Sequence, residues 1–135
     1  MTDCIFCKII SGEIPCAKVY ENDKVIAFLD IAPVNPSHTL IVPKQHYEQM
    51  QDIPDDMLCE VMITIKKLSK AIMKAVNTSS FNLGMNNGRE AGQLIPHAHF
   101  HIMPRFAGDG YKHWQGKSYK EDEMQKIAEN IRKAL

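Results

Sequence analysis

The sequence predicts an α+β fold in a single domain of 135 residues. Two amphipathic helical patterns stand among several short apolar runs that are typical of strands, and the two kinds of segment do not alternate regularly. A regular alternation would have indicated a parallel α/β sheet, so the irregular order favours α+β. No internal repeat, linker or low-complexity segment divides the chain, and its length suffices for one hydrophobic core.

The predicted strands follow a short N-terminal helix or turn that stops near Gly12. Strands are predicted at residues 17–21, 24–30, 39–42, 81–85 and 98–103. The first two runs flank Asn22 and Asp23, and two extended runs around so short a turn predict a hairpin. The third run lies between two prolines, which bound it as a short strand.

The first predicted helix has an unusually wide apolar face. Nine apolar residues recur at helical spacing: Met57, Leu58, Val61, Met62, Ile65, Leu68, Ile72, Met73 and Val76. They cover an arc of roughly 160°, wider than the ~100° stripe that one core requires. The excess indicates either a subunit interface or a deeply packed helix. Cys59 falls in the same pattern and is expected to pack.

The second helix is predicted over about residues 119–135. Met124, Ile127 and Ile131 share one face. Ser118 followed by Glu121 three residues later predicts a capping box at its start.

The composition excludes several classes of function. Sixteen basic residues balance sixteen acidic ones, so the chain lacks the positive field typical of nucleic-acid binders and membrane-surface proteins. No apolar run approaches the roughly 18 residues of a membrane helix, and the N-terminus does not have the pattern of a signal peptide. We therefore expect a cytoplasmic protein with reduced cysteines.

The sharpest motif is a row of three histidines, His97, His99 and His101. On a strand these side chains share one face, while Ala98 and Phe100 point into a core. A row of solvated histidines is the structural alternative, but nothing structural requires three imidazoles in register. At neutral pH imidazole serves as a metal ligand, a general acid or base, or a nucleophile. Because strand neighbours on one face lie about 6.8 Å apart, three different roles are favoured over one shared metal ion.

Cys4 and Cys7 have the spacing of half a zinc site. The same spacing fits a redox pair or two packed thiols, although no βαβ pattern surrounds it. Two more nitrogen or sulfur ligands would close a tetrahedral shell, which is typical of structural zinc. The histidine candidates are His38, His46, His97, His99, His101 and His113.

The segment 97–103, His-Ala-His-Phe-His-Ile-Met, resembles the histidine triad motif of the HIT family of nucleotide hydrolases and transferases. Further segments resemble the Hint-like branch with an N-terminal cysteine pair, in family order, at residues 4–15, 27–33, 38–46, 86–88 and 91–93. The resemblance implies one HIT domain over residues 1–135, with a core at 3–106 and a variable C-terminal segment at 107–135. It also implies a five-stranded antiparallel meander sheet, a long helix and a homodimer.

The resemblance implies a reaction at the α-phosphate of nucleoside phosphoramidates or dinucleoside polyphosphates. His99 would attack phosphorus, and water would release a nucleoside monophosphate from the covalent nucleotidyl-histidine intermediate. The carbonyl of His97 would fix the tautomer of His99. His101 and His38 would orient the phosphate and manage protons.

The resemblance also assigns a nucleotide-binding site, with a purine as the plausible base. Asp30 would accept hydrogen bonds from the ribose hydroxyls, although without the resemblance its position before Pro33 is equally typical of a turn or cap residue. The base pocket would be formed by Phe6, Ile9, Phe28 and Ile31, which are otherwise ordinary core residues. Phosphate contacts would come from Asn86, Gly92 and Gln93, where glycine permits close approach of its N–H.

A structural zinc ion is implied as well, and no catalytic metal. Family members with the cysteine pair complete the site with the histidine of the Pro-Lys-x-His motif and the first histidine of the triad. The predicted ligands are therefore Cys4, Cys7, His46 and His97.

One position departs from the family pattern. Leu94 stands where serine or threonine is common, and leucine cannot donate the hydrogen bond that phosphoramidate cleavage uses. Arg105 is either a polyphosphate contact or a structural arginine. Two other hypotheses stay open: a nucleotide-binding module with little or no turnover, and a hydrolase with zinc on the triad.

Overall fold

The chain forms one antiparallel sheet with a long helix on one face and a short N-terminal helix on the other. The structure is a computed structural model and describes residues 3–135. The strands are β1 (Lys18–Glu21), β2 (Val25–Leu29), β3 (Thr39–Pro43), β4 (Ser80–Gly84) and β5 (Phe100–Arg105). The helices are α1 (Ile5–Ile10), α2 (Asp55–Val76) and α3 (Glu123–Ala134), with 3-10 turns at Met50–Asp52 and Arg89–Ala91. The predicted α+β fold with five antiparallel strands is confirmed.

The sheet order is β1-β2-β3-β5-β4, so the last strand is inserted between the third and the fourth. The predicted meander, in which each strand pairs with the next, is therefore wrong at this point, because β3 pairs with β5. The predicted hairpin joins β1 and β2, where the side-chain oxygen of Asn22 accepts hydrogen bonds from the N–H groups of Lys24 and Val25 (2.9 and 2.8 Å). The insertion of β5 brings His101 opposite Leu40 on β3. It therefore places the histidine segment in the middle of the sheet.

Alternate side chains of the central strands point to opposite faces of the sheet, and each face packs in its own hydrophobic cluster. Val25 and Ala27 on β2 pack in the cluster that contains the inward face of α2. Ile26 and Phe28 pack on the opposite face, with Phe6 of α1. A strand covered on both faces reads as a continuous apolar run, which is the pattern of β2 and β3 in the sequence.

The long helix α2 begins after Pro54 and ends at Val76, because the left-handed backbone of the next residue, Asn77 (φ 55°), terminates it. Its inward face consists of the buried residues Val61, Thr64, Ile65, Leu68, Ser69, Ile72 and Met73. The predicted helical periodicity therefore corresponds to the face that covers the sheet.

The excess apolar arc of α2 lies on the surface of the chain. Met62 and Ile63 are exposed and line a groove of about 510 Å³ together with Phe81 and Leu83 of the edge strand β4. Of the nine residues in the predicted arc, Met62 is the exposed one, whereas Met57 and Leu58 pack partly buried against the core. Deep packing is therefore wrong for Met62, and Ile63 lies outside the predicted arc. Cys59 is exposed in the same groove, so the expectation that it packs is wrong as well.

The C-terminal helix α3 begins at Glu123, later than the predicted start at about residue 119. The capping box of Ser118 and Glu121 is wrong, because the turn before the helix is closed by Glu123, whose carboxylate accepts the N–H of Lys120 (2.8 Å). Asp122 then has a positive φ of 60°, so the helix cannot extend backwards through it. Within residues 3–135, none of the helices is long and apolar enough to cross a membrane.

Candidate functional site

The three histidines of the motif face two different sites at one end of the sheet. His97 and His99 lie just before β5 and His101 lies on it. His97 is fully buried and His99 is 6% exposed, so the alternative of a solvated histidine row is wrong. The ring of His97 contacts the cysteine pair at α1, whereas His101 contacts His38 at the end of the loop 30–38, which joins β2 to β3. The geometry thus separates the roles of the three imidazoles.

His97 presents its Nδ1 atom to the N-terminal cysteines. Its Nε2–H donates to the carbonyl of Pro43 at 2.8 Å, so the proton is on Nε2 and Nδ1 carries a lone pair. Nδ1 lies 3.3 Å from Sγ of Cys4 and 3.6 Å from Sγ of Cys7. This is the tautomer that a metal ligand at Nδ1 requires.

The predicted zinc ligands come together in a four-residue cluster. The ligand atoms of Cys4, Cys7, His46 and His97 all lie within 4.8 Å of one another. Tetrahedral zinc, with bonds of about 2.3 Å to sulfur and about 2.0 Å to nitrogen, sets sulfur and nitrogen about 3.5 Å apart. The separation between Cys7 Sγ and His46 Nδ1 is 3.4 Å, close to that value. The cluster therefore fits a tetrahedral metal ion in both spacing and donor type.

His99 carries its free lone pair on Nε2. Its Nδ1–H donates to the carbonyl of His97 at 2.7 Å, which fixes the other nitrogen as unprotonated. Burial lowers the pKa of His99 below the ordinary value of 6.5, and this effect outweighs the opposing effect of the hydrogen bond to His97. The imidazole is thus neutral at pH 7. The ring of Phe6 stands edge-on to it, with centroids 5.0 Å apart.

His38 and His101 form a directed hydrogen-bonded pair. The N–H of Val34 donates to Nδ1 of His38 at 3.0 Å, so the proton of His38 is on Nε2. That Nε2–H donates to Nδ1 of His101 at 2.8 Å, which leaves the proton of His101 on its own Nε2. The latter N–H is buried and has no hydrogen-bond partner among residues 3–135. Burial, together with His99 and His38, lowers the pKa of His101 to about 4.

Asp30, His38 and His101 form a second cluster with metal-ligand spacing, but its hydrogen bonds oppose a metal ion. The ligand atoms lie within 4.8 Å of one another, and a carboxylate oxygen of Asp30 is 3.6 Å from Nε2 of His38. The N–H of Val34 keeps the proton of His38 on Nε2, the nitrogen that would have to bind the metal. This arrangement disfavours the hypothesis of zinc on the triad.

Three of the four residues predicted for the base pocket lie together beside His99. Phe6 and Phe28 are buried with ring centroids 5.5 Å apart, and Ile9 packs partly buried in the same cluster. Ile31 is fully exposed at the start of the loop 30–38. The structure thus brings Phe6, Ile9 and Phe28 together in an apolar cluster between α1 and β2, and it does not bring Ile31 into that cluster.

The three residues predicted to contact phosphate lie on the loop between β4 and β5. Gly92 has a φ of +88°, which only glycine adopts easily, and its carbonyl lies 3.5 Å from the side-chain nitrogen of Asn86. The side chain of Gln93 is engaged with the backbone, because it accepts from Gly88 N–H (2.8 Å) and donates to the carbonyl of Glu48 (2.7 Å). In this arrangement Gln93 holds the loop in shape.

A family model described as "HIT domain" matches residues 11–108. The chain belongs to the HIT family. It is 39% identical over 139 residues to adenosine 5'-monophosphoramidase of Candida albicans, covering 98% of this chain and 91% of that protein. It is 47% identical over 103 residues to an adenylylsulfatase of Arabidopsis thaliana, covering 76% of this chain and 52% of that protein. The chain is a HIT-type hydrolase.

The fold of this HIT protein matches a solved member of the family. The crystal structure of a HIT family protein from Bacillus subtilis has a TM-score of 0.91 at 40% identity, covering 98% of this chain and 97% of that one. The match extends through the C-terminal segment, which lies beyond the residues of the family model.

Leu94 and Arg105 differ in how much contact their side chains make with the rest of the HIT domain. Leu94 is 89% exposed, so its side chain packs against little of the described chain. Arg105 makes four hydrogen bonds, to Asp109, Asn82 and the carbonyl of Tyr111. The structural interpretation of Arg105 therefore accounts for its contacts, and the polyphosphate interpretation does not.

Sequence reasoning missed the groups that set the tautomers and hold the loop 30–38. The carbonyl of Pro43 and the N–H of Val34 are backbone atoms, so no residue type could have signalled them. Asn35 and Asp109 are joined by a 3.0 Å hydrogen bond between the loop and the segment after β5. Their only sequence signals are an Asn-Pro step and a Gly-Asp-Gly turn.

Proposed function

We propose that the chain cleaves nucleoside phosphate derivatives at the α-phosphorus through a covalent intermediate on His99. The observation that carries this proposal is the 2.7 Å hydrogen bond from Nδ1 of His99 to the carbonyl of His97. Because that bond holds the proton on Nδ1, the Nε2 lone pair is available at neutral pH. A neutral imidazole with a directed lone pair is a competent nucleophile.

The proposed reaction has two displacements at phosphorus. In the first, the Nε2 lone pair of His99 forms an N–P bond, and the bond to the leaving group breaks with its electron pair on the departing atom. In the second, a water oxygen attacks phosphorus and the N–P electron pair returns to Nε2. Water thus supplies the new oxygen of the nucleoside monophosphate and the proton of the leaving group.

His101 and His38 would bind the phosphate and move the proton. The buried Nε2–H of His101 has no partner in the part of the chain that the structure describes, and a phosphate oxygen would satisfy this donor. His38 donates to the other nitrogen of His101 and so keeps the proton of His101 on Nε2. That Nε2–H would give its proton to the leaving group in the first displacement, and the attacking water would return a proton to the same nitrogen in the second.

The nucleoside would lie between the 30–38 loop and α1. Asp30 is one-fifth exposed at its carboxylate, beside His38, where it can accept ribose hydroxyls. The purine would lie on the apolar wall of Phe6, Ile9 and Phe28, with Ile31 closing over it. Asn86, Gly92 and Gln93 would line the phosphate side.

The leaving group is an amine, a phosphate chain or a related anion. The two relatives are named adenosine 5'-monophosphoramidase and adenylylsulfatase. The proposed substrates of this chain are therefore nucleoside phosphoramidates or dinucleoside polyphosphates. The exposed Leu94 favours leaving groups that need no hydroxyl donor from this position.

We propose a structural zinc ion at Cys4, Cys7, His46 and His97. The sulfur–nitrogen separations of 3.3 to 3.6 Å and the tautomer of His97 support this assignment. When bound, zinc would cross-link α1 to the segment before β5, and no catalytic metal is proposed. The cysteine pair also supports a place in the Hint-like branch and, because its thiols must stay reduced, a cytoplasmic location.

We propose that the chain acts as a homodimer through β4 and α2. β4 is an edge strand, and four of its five residues are exposed. It adjoins the groove of Met62, Ile63, Phe81 and Leu83, an apolar surface of the kind that marks an interface. Pairing of two edge strands would satisfy their free backbone groups.

Release of nucleoside monophosphate from adenosine phosphoramidate and from diadenosine polyphosphates tests the function. We expect turnover by the wild type and a loss of at least about a thousandfold in His99→Ala. Quenching with an alkaline denaturant during turnover should trap labelled nucleotide on the wild-type protein but not on His99→Ala, because the N–P bond of a nucleotidyl-histidine is labile in acid and more stable in alkali. The exposed His113→Ala serves as the control variant and should behave like the wild type.

A second candidate function is a nucleotide-binding HIT module with little or no turnover, and the exposure of Leu94 is the observation that favours it. Tight nucleotide binding without release of monophosphate from any of these substrates would support that module. Undiminished turnover in His99→Ala would disprove the covalent mechanism.

A further inference from the structure

We infer that Asn35 is a positioning residue that holds the nucleotide-binding loop 30–38 against β5, with Asp109 as its anchor. The inference rests on the proposed function, since this loop carries Asp30 and His38. Neither Asn35 nor Asp109 belongs to the motif of three histidines or to the residues predicted to touch the nucleotide.

The loop places His38 through a set of short-range hydrogen bonds. The N–H of Asp30 donates to the carbonyl of His38 at 2.9 Å, and the N–H of His38 donates to the carbonyl of Asn35 at 3.1 Å. The residue before Asn35, Val34, donates its N–H to Nδ1 of His38. The position of Asn35 therefore controls both the backbone of His38 and the tautomer of its ring.

The loop is strained and requires contacts from outside to keep its shape. Ser37 has a φ of 70°, and a side chain other than glycine in this region costs on the order of 1 kcal/mol. Thr39 supports it locally, donating its hydroxyl to the carbonyl of Ser37 at 2.8 Å. A strained backbone persists where tertiary contacts determine it, so contacts to other elements must contribute.

The side chain of Asn35 supplies such contacts with both hydrogens of its amide. Nδ2 donates to the carbonyl of Pro104 on β5 at 2.9 Å and to a carboxylate oxygen of Asp109 at 3.0 Å. β5 also carries His101, the partner of His38. Asn35 thus fixes the distance between the loop 30–38, which carries His38, and β5, which carries His101.

Asp109 is a rigid anchor for this amide. Its carboxylate is 7% exposed and accepts two hydrogen bonds from Arg105, at 2.7 and 3.0 Å. It also accepts the N–H groups of Phe106 and Tyr111, both at 3.1 Å. These hydrogen bonds, led by those from Arg105, hold the pKa of Asp109 well below its usual range, so the carboxylate stays charged.

Three single variants and one double variant separate positioning from simple stabilisation. Asn35→Ala removes the bridge, and Asn82→Ala is the matched control, because Asn82 accepts a 2.7 Å hydrogen bond from Arg105 on the side facing β4. Asp109→Ala removes the anchor, and the double variant Asn35→Ala/Asp109→Ala tests whether the two act together. The measurements are AMP release, AMP affinity by calorimetry, the melting temperature, and the ¹⁵N spectrum of His38.

We expect Asn35→Ala to reduce kcat/KM about 10- to 100-fold, the loss typical of a small misplacement of binding groups. The ¹⁵N spectrum of His38 should change from the single Nε2–H tautomer to a mixture, and AMP affinity should fall. Asn82→Ala should match the wild type in AMP release, in AMP affinity and in the ¹⁵N spectrum of His38. The double variant should lose less activity than the two single losses multiplied together, since both single variants already remove the hydrogen bond between Asn35 and Asp109.

Two results would overturn the inference. One is an unchanged His38 spectrum and unchanged AMP affinity in folded Asn35→Ala, whatever happens to its melting temperature. The other is an equal loss of activity in Asn82→Ala. If the wild type releases no monophosphate, the proposed function fails, but the spectrum and the AMP affinity still decide the role of Asn35.

Discussion

Acidification should destabilise the protein through the neutral state of His101. Its pKa is lowered from 6.5 to about 4, first by burial and then by His99 and His38. Between these two values the unfolded chain binds a proton that the folded chain does not. The free energy of unfolding therefore falls as the pH falls. Integrated from pH 7 to 4.5, the loss from this group is about 2 kcal/mol.

Urea unfolding at both pH values measures this loss. Carboxylates and other histidines contribute to the pH dependence of every variant, so the informative quantity is a difference between variants. The free energy of unfolding of His101→Gln should fall about 2 kcal/mol less than that of the wild type. With a slope of about 2 kcal/mol per molar urea, the difference is roughly 1 M in the shift of the midpoint.

The exposed His113 provides the control, because His113→Gln should follow the wild type at both pH values. Since His38 donates to His101, the measured value belongs to the pair rather than to one ring. An identical fall in His101→Gln and in the wild type would refute the reasoning. It would mean that His101 titrates normally in the folded protein and is not the buried neutral donor that the mechanism uses.

Three further predictions concern the metal, the leaving group and the subunit interface. Protein purified without chelator should contain about one zinc ion per chain. The double variant Cys4→Ser/Cys7→Ser should lose the metal, and its melting temperature should fall by more than about 5 °C, whereas the control Cys16→Ser should keep the metal and the melting temperature of the wild type. Full metal content in the double variant would disprove the site. Leu94→Ser should raise kcat/KM for adenosine phosphoramidate about tenfold, because the serine hydroxyl adds a hydrogen bond to the charged phosphate or its leaving group. The melting temperature should not change, because the position is exposed. Unchanged kinetics would show that this position does not contact the leaving group. Light scattering should give the mass of a dimer for the wild type and of a monomer for Phe81→Glu, and a monomeric wild type would contradict the proposed interface.

The strands and α2 could be predicted because each buries a continuous apolar face. β2 and β3 are covered on both sides and read as apolar runs, and the spacing of residues 61–73 follows the face of α2 that covers the sheet. The start of α3 could not be predicted, because none of its residues is buried and local turn contacts decide where it begins. The insertion of β5 between β3 and β4 depends on which edges pair, and residue patterns do not encode that choice.

The residues that form the site could be predicted from the sequence, but the tautomers of its histidines could not. The cysteine and histidine motifs indicated which residues would assemble, and Cys4, Cys7, His46 and His97 do so. The tautomers follow from carbonyl and N–H groups that are the same in every residue type. The engagement of Gln93 with its own loop, and that of Arg105 with Asp109, are likewise decided by tertiary packing.

The acceptor that selects the tautomer of His99 is the peptide carbonyl of residue 97, which is present whatever side chain stands at that position. Replacing the side chain of His97 would remove one metal ligand and leave that carbonyl in the chain. Side-chain mutagenesis can therefore weaken the proposed metal site without deleting the hydrogen-bond partner of His99, the proposed nucleophile. Only a change in the path of the backbone before β5 could remove that partner. The tautomer of His99 is thus protected against single substitutions at the first histidine of the motif.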